Sequence, residues 1–224
     1  MTHSSLLILS LACSFAAYPA YAYAIKRQGS RPTRPTWIMI LVSDLMLFGF
    51  MLIESRWDWL LLGFTAGNVM MLVLMAAADL KAHRTDATAN RDRWAIMLLG
   101  QDRWTGKDIA SVTVALAALA LYAVTGSGIT SICFCLAGKI AASVPMWINL
   151  WKEPTREAVL PWGLWLVGGM LYVAAIPSSD WSVVSLATPV AFVVLEAIVL
   201  ALLCRRFLRP ARVTRSAQEF RKAA

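Results

Sequence analysis

The hydrophobic and polar positions of this chain fall into long apolar runs separated by short polar stretches. Seven runs are predicted as helices: 5–25, 37–53, 59–78, 109–124, 129–151, 160–176 and 183–203. A helix needs about 20 mostly apolar residues to cross the roughly 30 Å hydrocarbon layer of a bilayer. The runs lack the every-second-residue alternation of barrel strands, so the pattern points to spanning helices rather than a barrel. The longest polar stretch is 79–108. Within it Arg91-Asp92-Arg93-Trp94 and Gln101-Asp102-Arg103-Trp104 enclose an apolar 95–99, which predicts a short interfacial helix.

Composition narrows the class. The 224 residues are 59% hydrophobic and only 15% charged, with mean hydropathy +0.62. Ordinary soluble domains are about half apolar and about a quarter charged. The expected fold class is therefore an all-α membrane protein with seven transmembrane helices and no separate soluble domain. The first run has Ala-Tyr-Ala sequences at 20–22 and 22–24 that resemble signal-peptidase sites. No Lys or Arg precedes it, however, and it is long for a signal core, so it is read as a retained span.

The net charge of +8 would suit nucleic acid, anionic lipid or membrane topology. Position decides between them. Of 21 Lys and Arg, 19 fall in the odd-numbered loops or the C-terminal tail; Arg56 lies in an even-numbered loop and Lys139 inside a span. By the positive-inside rule, the odd loops and the C-terminus are cytoplasmic and the N-terminus is outside. The expected location is a plasma membrane, a bacterial inner membrane in particular. No nucleic-acid partner is expected; the tail suits anionic headgroups, but topology alone accounts for it.

The chain also repeats itself. Pro19 precedes Lys26 by seven residues, and Pro145 precedes Lys152 by seven. Each following loop contains Pro-Thr-Arg, at 32–34 and 154–156, and each next run opens on a Trp, Trp37 and Trp162. Trp57 and Trp59 then match Trp181 in the outer loops. Ordered features at a nearly constant offset indicate duplication. Runs one to three repeat as runs five to seven. An odd-numbered bundle reverses the chain, so run four must return it for the second unit to enter from the same side. The halves are thus parallel, related by an axis along the membrane normal. The division expected is a first triple-helix bundle at 1–78, a cytoplasmic loop at 79–108, a linker helix at 109–128, a second bundle at 129–207 and a basic tail at 208–224. One chain supplies the pseudo-twofold, so a monomer suffices without forbidding a homo-oligomer.

This 3+1+3 arrangement resembles the SWEET, semi-SWEET and PQ-loop transporters, through Pro19, Lys26 and Trp37 in one half and Pro145, Lys152 and Trp162 in the other. It resembles more closely a group of uncharacterised bacterial seven-helix membrane proteins, through Pro145, Lys152, Pro154-Thr155-Arg156-Glu157 and Trp162-Gly163-Leu164-Trp165. The resemblance covers about residues 5–207. It implies alternating access between two bundles, with Pro19 and Pro145 as hinges. The chain departs from the pattern in places. Ala20 and Met146 stand where the PQ motif has Gln. Asn68 matches an Asn of sugar-carrying relatives, whereas Thr188, Phe192 and Glu196 occupy the corresponding region of the second half. Lys139 stands where the bacterial group often has Asp.

The residues carrying chemistry are those that cost most to bury. Charges inside a membrane usually face a cavity or a partner. Asp44, Lys139 and Glu196 lie within runs, and Glu54 lies at an outer end. Asp44 and Lys139 are expected to pair or to flank one polar cavity between the bundles, with a purely structural ion pair as the alternative. Glu196 is a candidate proton-coupling carboxylate, because desolvation favours a neutral acid; a Glu in the bundle seam is the alternative. Asn68, Trp162 and Trp165 complete the candidate substrate-binding set. Trp37, Trp57, Trp59, Trp94, Trp104, Trp151 and Trp181 read as an interface belt, which also accounts for Trp162 and Trp165 unless they stack on a ring-shaped solute. Gly63, Gly67 and Gly168-Gly169 read as close helix contacts. Cys13, Cys133, Cys135 and Cys204 read as buried free thiols. With only His3 and His83 in the chain, no metal site is expected. No cofactor and no catalytic nucleophile is expected either.

The expected function is passage of a small polar solute, as a facilitator or coupled to protons. A nicotinamide- or vitamin-like solute is an alternative raised by the Trp content. From another class comes a non-transporting receptor, assembly or lipid-binding protein on the same scaffold. An enzyme is not expected.

Overall fold

In a computed structural model, the described residues are 2–28, 34–53, 59–85, 106–155 and 157–208, and among them all regular structure is helical. Helix α1 spans His3–Tyr23 and continues as a π-helical turn, Ala24–Gln28. Then come α2 (Arg34–Ile53), α3 (Trp59–Thr85), α4 (Gly106–Thr125), α5 (Gly128–Lys152), α6 (Val159–Ala175) and α7 (Val183–Leu208). Several helices run past the apolar stretches that predicted them. Backbone hydrogen bonding carries on into polar sequence at the ends, where side chains no longer need to be apolar. The predicted interfacial helix at 95–99, Trp94, Trp104, Glu54, Arg56 and Trp57 lie outside the described residues.

Local chemistry sets the ends. Thr2 caps α1 by accepting from the Ser5 N–H. Gly126 adopts a φ of +63°, the left-handed conformation that lets α4 stop and α5 begin. Ser127 then caps α5 through the Thr130 N–H. At the start of α7, the Ser182 and Ser185 hydroxyls accept from each other's backbone N–H at 3.1 and 3.0 Å, a reciprocal capping box. Pro19, Pro145 and Pro189 lie inside α1, α5 and α7.

The helices close into a ring. Helix α3 packs against both α1 and α2, and α7 packs against both α5 and α6. The two triads meet along α1 with α6 and α2 with α5, while α4 lies against α2 and α5. Glycines permit the closest approaches. A Cβ on Gly67 would lie 1.8 Å from the Tyr18 ring, and one on Gly168 would lie 2.3 Å from Ser14 Oγ. There the Ser10 hydroxyl donates to the Gly168 carbonyl at 2.7 Å, tying α1 to α6.

Among the described residues, three stretches are long and apolar enough to cross a membrane: His3–Arg27, Ile132–Lys152 and Ser185–Phe207. Shorter apolar helices cover Thr36–Phe50, Leu61–Ala77 and Val159–Ala175. Large apolar side chains also face outward, among them Ile8, Val73, Leu116, Val124, Leu160 and Val194. Outward apolar faces on apolar helices fit a bilayer rather than water as the surrounding solvent.

Two local readings are corrected. Trp37 does not belong to an interface belt: it is 3% exposed, packed among aromatic rings in the first turn of α2. Trp151 and Trp181 are exposed, as a belt requires. Cys133 is exposed while Cys135 is buried. Two positions along a helix differ by about 200°, so this pair cannot share one face.

Candidate functional site

Six helices converge on one cavity of about 60 Å³. Its wall takes Tyr18 from α1, Trp37 and Asp44 from α2, Phe64 and Asn68 from α3, Lys139 and Ser143 from α5, Trp162 and Trp165 from α6, and Phe192 and Glu196 from α7. Every described element of the ring thus contributes, and α4 stands outside it. A single water needs roughly 10–15 Å³, so the space admits several waters or a small solute.

The centre of the polar part is Asp44, which is fully buried. Its Oδ1 receives the Lys139 ammonium at 2.5 Å, and its Oδ2 receives the Asn68 amide at 2.6 Å. Both carboxylate oxygens are therefore occupied, from α5 on one side and α3 on the other. The Lys139 ammonium also lies 3.5 Å from the centre of the Phe192 ring, within cation–π range. Ser143, one turn along α5, returns its hydroxyl to the Lys139 carbonyl at 2.9 Å. The pair links the two triads through their polar side chains, and removing a partner would strand a buried charge.

Glu196 is treated differently. It is 7% exposed, and its Oε2 has no hydrogen-bond partner among the described residues. A Cβ built on Gly169 would stand 3.3 Å from that oxygen, so the carboxylate lies against a bare stretch of α6. Gly169 is 125 residues after Asp44, the same offset that relates Trp37 to Trp162. Thus α2 carries an acid at Asp44, whereas α6 carries a glycine at Gly169 and the acid Glu196 comes from α7.

The third component is aromatic. Trp162 and Trp165 pack edge-to-face with centroids 5.1 Å apart. Tyr18 meets Trp165 edge-on at 5.3 Å, Tyr21 lies 5.4 Å from Trp37, and Trp37 lies 5.9 Å from Trp165. Phe64 and Phe192 meet edge-to-face across α3 and α7 at 5.2 Å. The indole N–H groups of Trp162 and Trp165 are buried without a hydrogen-bond partner among the described residues. The rings pack on one another at 44–83° in the Tyr21, Trp162 and Trp165 contacts, which leaves no parallel slot for a flat solute between them.

All six residues singled out in the sequence as substrate or proton sites, Asp44, Asn68, Lys139, Trp162, Trp165 and Glu196, stand on this one wall. The two prolines flank it: Pro19 follows Tyr18, and Pro145 precedes the lining residue Met146. Sequence reasoning missed Tyr18, Phe64 and Phe192 as wall residues and Tyr21 as their support. It quoted Glu157 only as part of a motif and gave it no structural role; the residue is buried and accepts a hydrogen bond from the Tyr21 hydroxyl. A carboxylate in a short loop gives no sign of burial until the helix that covers it is placed. Among the described residues no His, Cys, Asp and Glu group has the makings of a metal site.

Comparison with known proteins adds no neighbour: no protein-family model, no curated protein and no solved structure matches the chain.

Proposed function

We propose that this protein is a membrane transporter that passes a small polar solute between two triple-helix bundles by alternating access. On this reading α1–α3 and α5–α7 are parallel repeats joined by α4, in the manner of the SWEET and PQ-loop transporters. The observation that carries it is the cavity itself. An apolar helical protein keeps an ion pair, an amide and a further carboxylate at the meeting point of six helices. Buried charges are costly, and in membrane proteins they commonly mark a solute or ion path. The packing order supports the repeat: α3 lies between α1 and α2 as α7 lies between α5 and α6, and exchanging the triads maps the α1–α6 contact onto α5–α2. Pro19 and Pro145 lie at the depth of the wall residues, where a missing helix hydrogen bond lowers the cost of bending. The Asp44–Asn68–Lys139 cluster, Trp162 and Trp165 line the solute path, and Glu196, unpartnered among the described residues, faces the same path and takes a proton when transport is coupled and no solute occupies it. The protein sits in a bacterial inner membrane with its N-terminus outside and its C-terminus inside.

Alternating access is testable before the solute is known. In a background with the four cysteines replaced, Ser143→Cys places one thiol on the cavity wall. A small membrane-impermeant thiol reagent is applied to right-side-out and inverted vesicles. Labelling from both sides is the expected result. Labelling from neither side would favour the scaffold or receptor role and overturn the transport reading.

A further inference from the structure

We propose that the solute is a small organic monocation, seated between the Glu196 carboxylate and the aromatic wall of α6; this rests on the transport reading and names its substrate class. The argument begins with charge. Among the described wall residues Asp44, Lys139 and Glu196 are the ionisable acids and bases with charge to contribute. Lys139 and Asp44 neutralise each other at 2.5 Å, and Asn68 occupies the remaining Asp44 oxygen. Glu196 is left, more than nine-tenths buried, with Oε2 unpartnered. A buried carboxylate without a partner is costly, and the missing partner is a cation or a strong donor.

The surroundings specify the kind of cation. Glu196 rests against Gly169, and Trp165 lies one helical turn before Gly169 on α6. Trp165 and its neighbours Trp162 and Tyr18 form an aromatic wall. A carboxylate beside aromatic rings is the chemistry that recognises organic ammonium and guanidinium groups, because the ring face attracts a weakly hydrated cation. The protein already contains an internal example, with the Lys139 ammonium 3.5 Å from the Phe192 centroid. An anion would meet an unpaired acid here, with the lysine already committed. A neutral sugar would leave the Glu196 carboxylate without a charge partner. The cavity of about 60 Å³ suits a small cation.

Guanidinium and urea are an almost isosteric pair that differ in charge, and tetramethylammonium probes a cation with no hydrogen-bond donor. Purified protein in lipid nanodiscs is titrated with each, and tryptophan fluorescence follows binding. The expected result is that guanidinium binds at least tenfold more tightly than urea. Glu196→Gln should abolish that preference while Glu196→Asp retains it. Tetramethylammonium should compete with guanidinium. Urea binding as well as guanidinium, no saturable binding of either cation, or a full cation preference in a folded Glu196→Gln variant would each overturn the assignment. The labelling of Ser143→Cys from both sides is read independently. Two-sided labelling with no cation preference sinks the substrate class alone, and cation binding without two-sided labelling sinks transport alone.

Discussion

Replacing Lys139 by Met removes one member of the ion pair and leaves Asp44 fully buried with its charge uncompensated. Asp44 has no exposed surface through which water can take over, and Lys139 Nζ is 2.5 Å from Oδ1. Breaking a buried pair from one side costs about 3–5 kcal/mol. A second route gives a ceiling. Protonating an ordinary aspartate at pH 7 costs about 4 kcal/mol, and the variant can always escape the charge that way. The two figures meet at roughly 4 kcal/mol. For a chain of this size each kcal/mol moves the unfolding midpoint by about 2–4 °C, so the loss is of order 10 °C. The double variant Asp44→Asn with Lys139→Met removes both charges and should recover most of it, because neutral side chains of similar volume escape the desolvation penalty. Thermal unfolding in detergent, followed by scanning fluorimetry on wild type, both single variants and the double variant, completes the cycle. A Lys139→Met midpoint within about 3 °C of wild type would refute the buried pair. So would a double variant as unstable as the two losses summed.

Three further outcomes test other parts of the structure. Gly67→Ala places a methyl 1.8 Å from the Tyr18 ring, whose hydroxyl is anchored on the Phe64 carbonyl, whereas Gly163→Ala meets nothing within 4 Å; the first should cost about 1–3 kcal/mol or more and the second should leave the unfolding midpoint unchanged or slightly raised. Tyr21→Phe removes a buried donor to Glu157 and should cost about 1.5–3 kcal/mol in the same assay, with a loss below the resolution of the assay refuting that contact's weight. Trp151→Ala removes an exposed ring that lies 3.3 Å from the Arg205 guanidinium carbon, and it should cost no more than about 1 kcal/mol because water competes for both groups.

The sequence by itself determined that the chain is helical and apolar, and it singled out the charged residues that lie within apolar runs. A charge within an apolar run is expensive wherever the helix ends up, so Asp44, Lys139 and Glu196 could be singled out without coordinates. The spacing of proline, lysine and tryptophan suggested two related halves for the same local reason. The sequence named Asp44 and Lys139 as a pair or as two flanks of one cavity without deciding between the two. They are 95 residues apart, and only the meeting of α2 with α5 brings them to 2.5 Å. Trp37 shows the limit most plainly. A tryptophan near the end of an apolar run has the same sequence signature whether it faces headgroups or a neighbouring helix. Its direction was decided by α6, which brings Trp162 and Trp165 against it. For Glu196 the sequence left a proton site and a seam position open, and it held no sign of what the carboxylate would face. Glu196 lies against Gly169, a position with no side chain to answer it, and that contact exists only once α6 and α7 have packed.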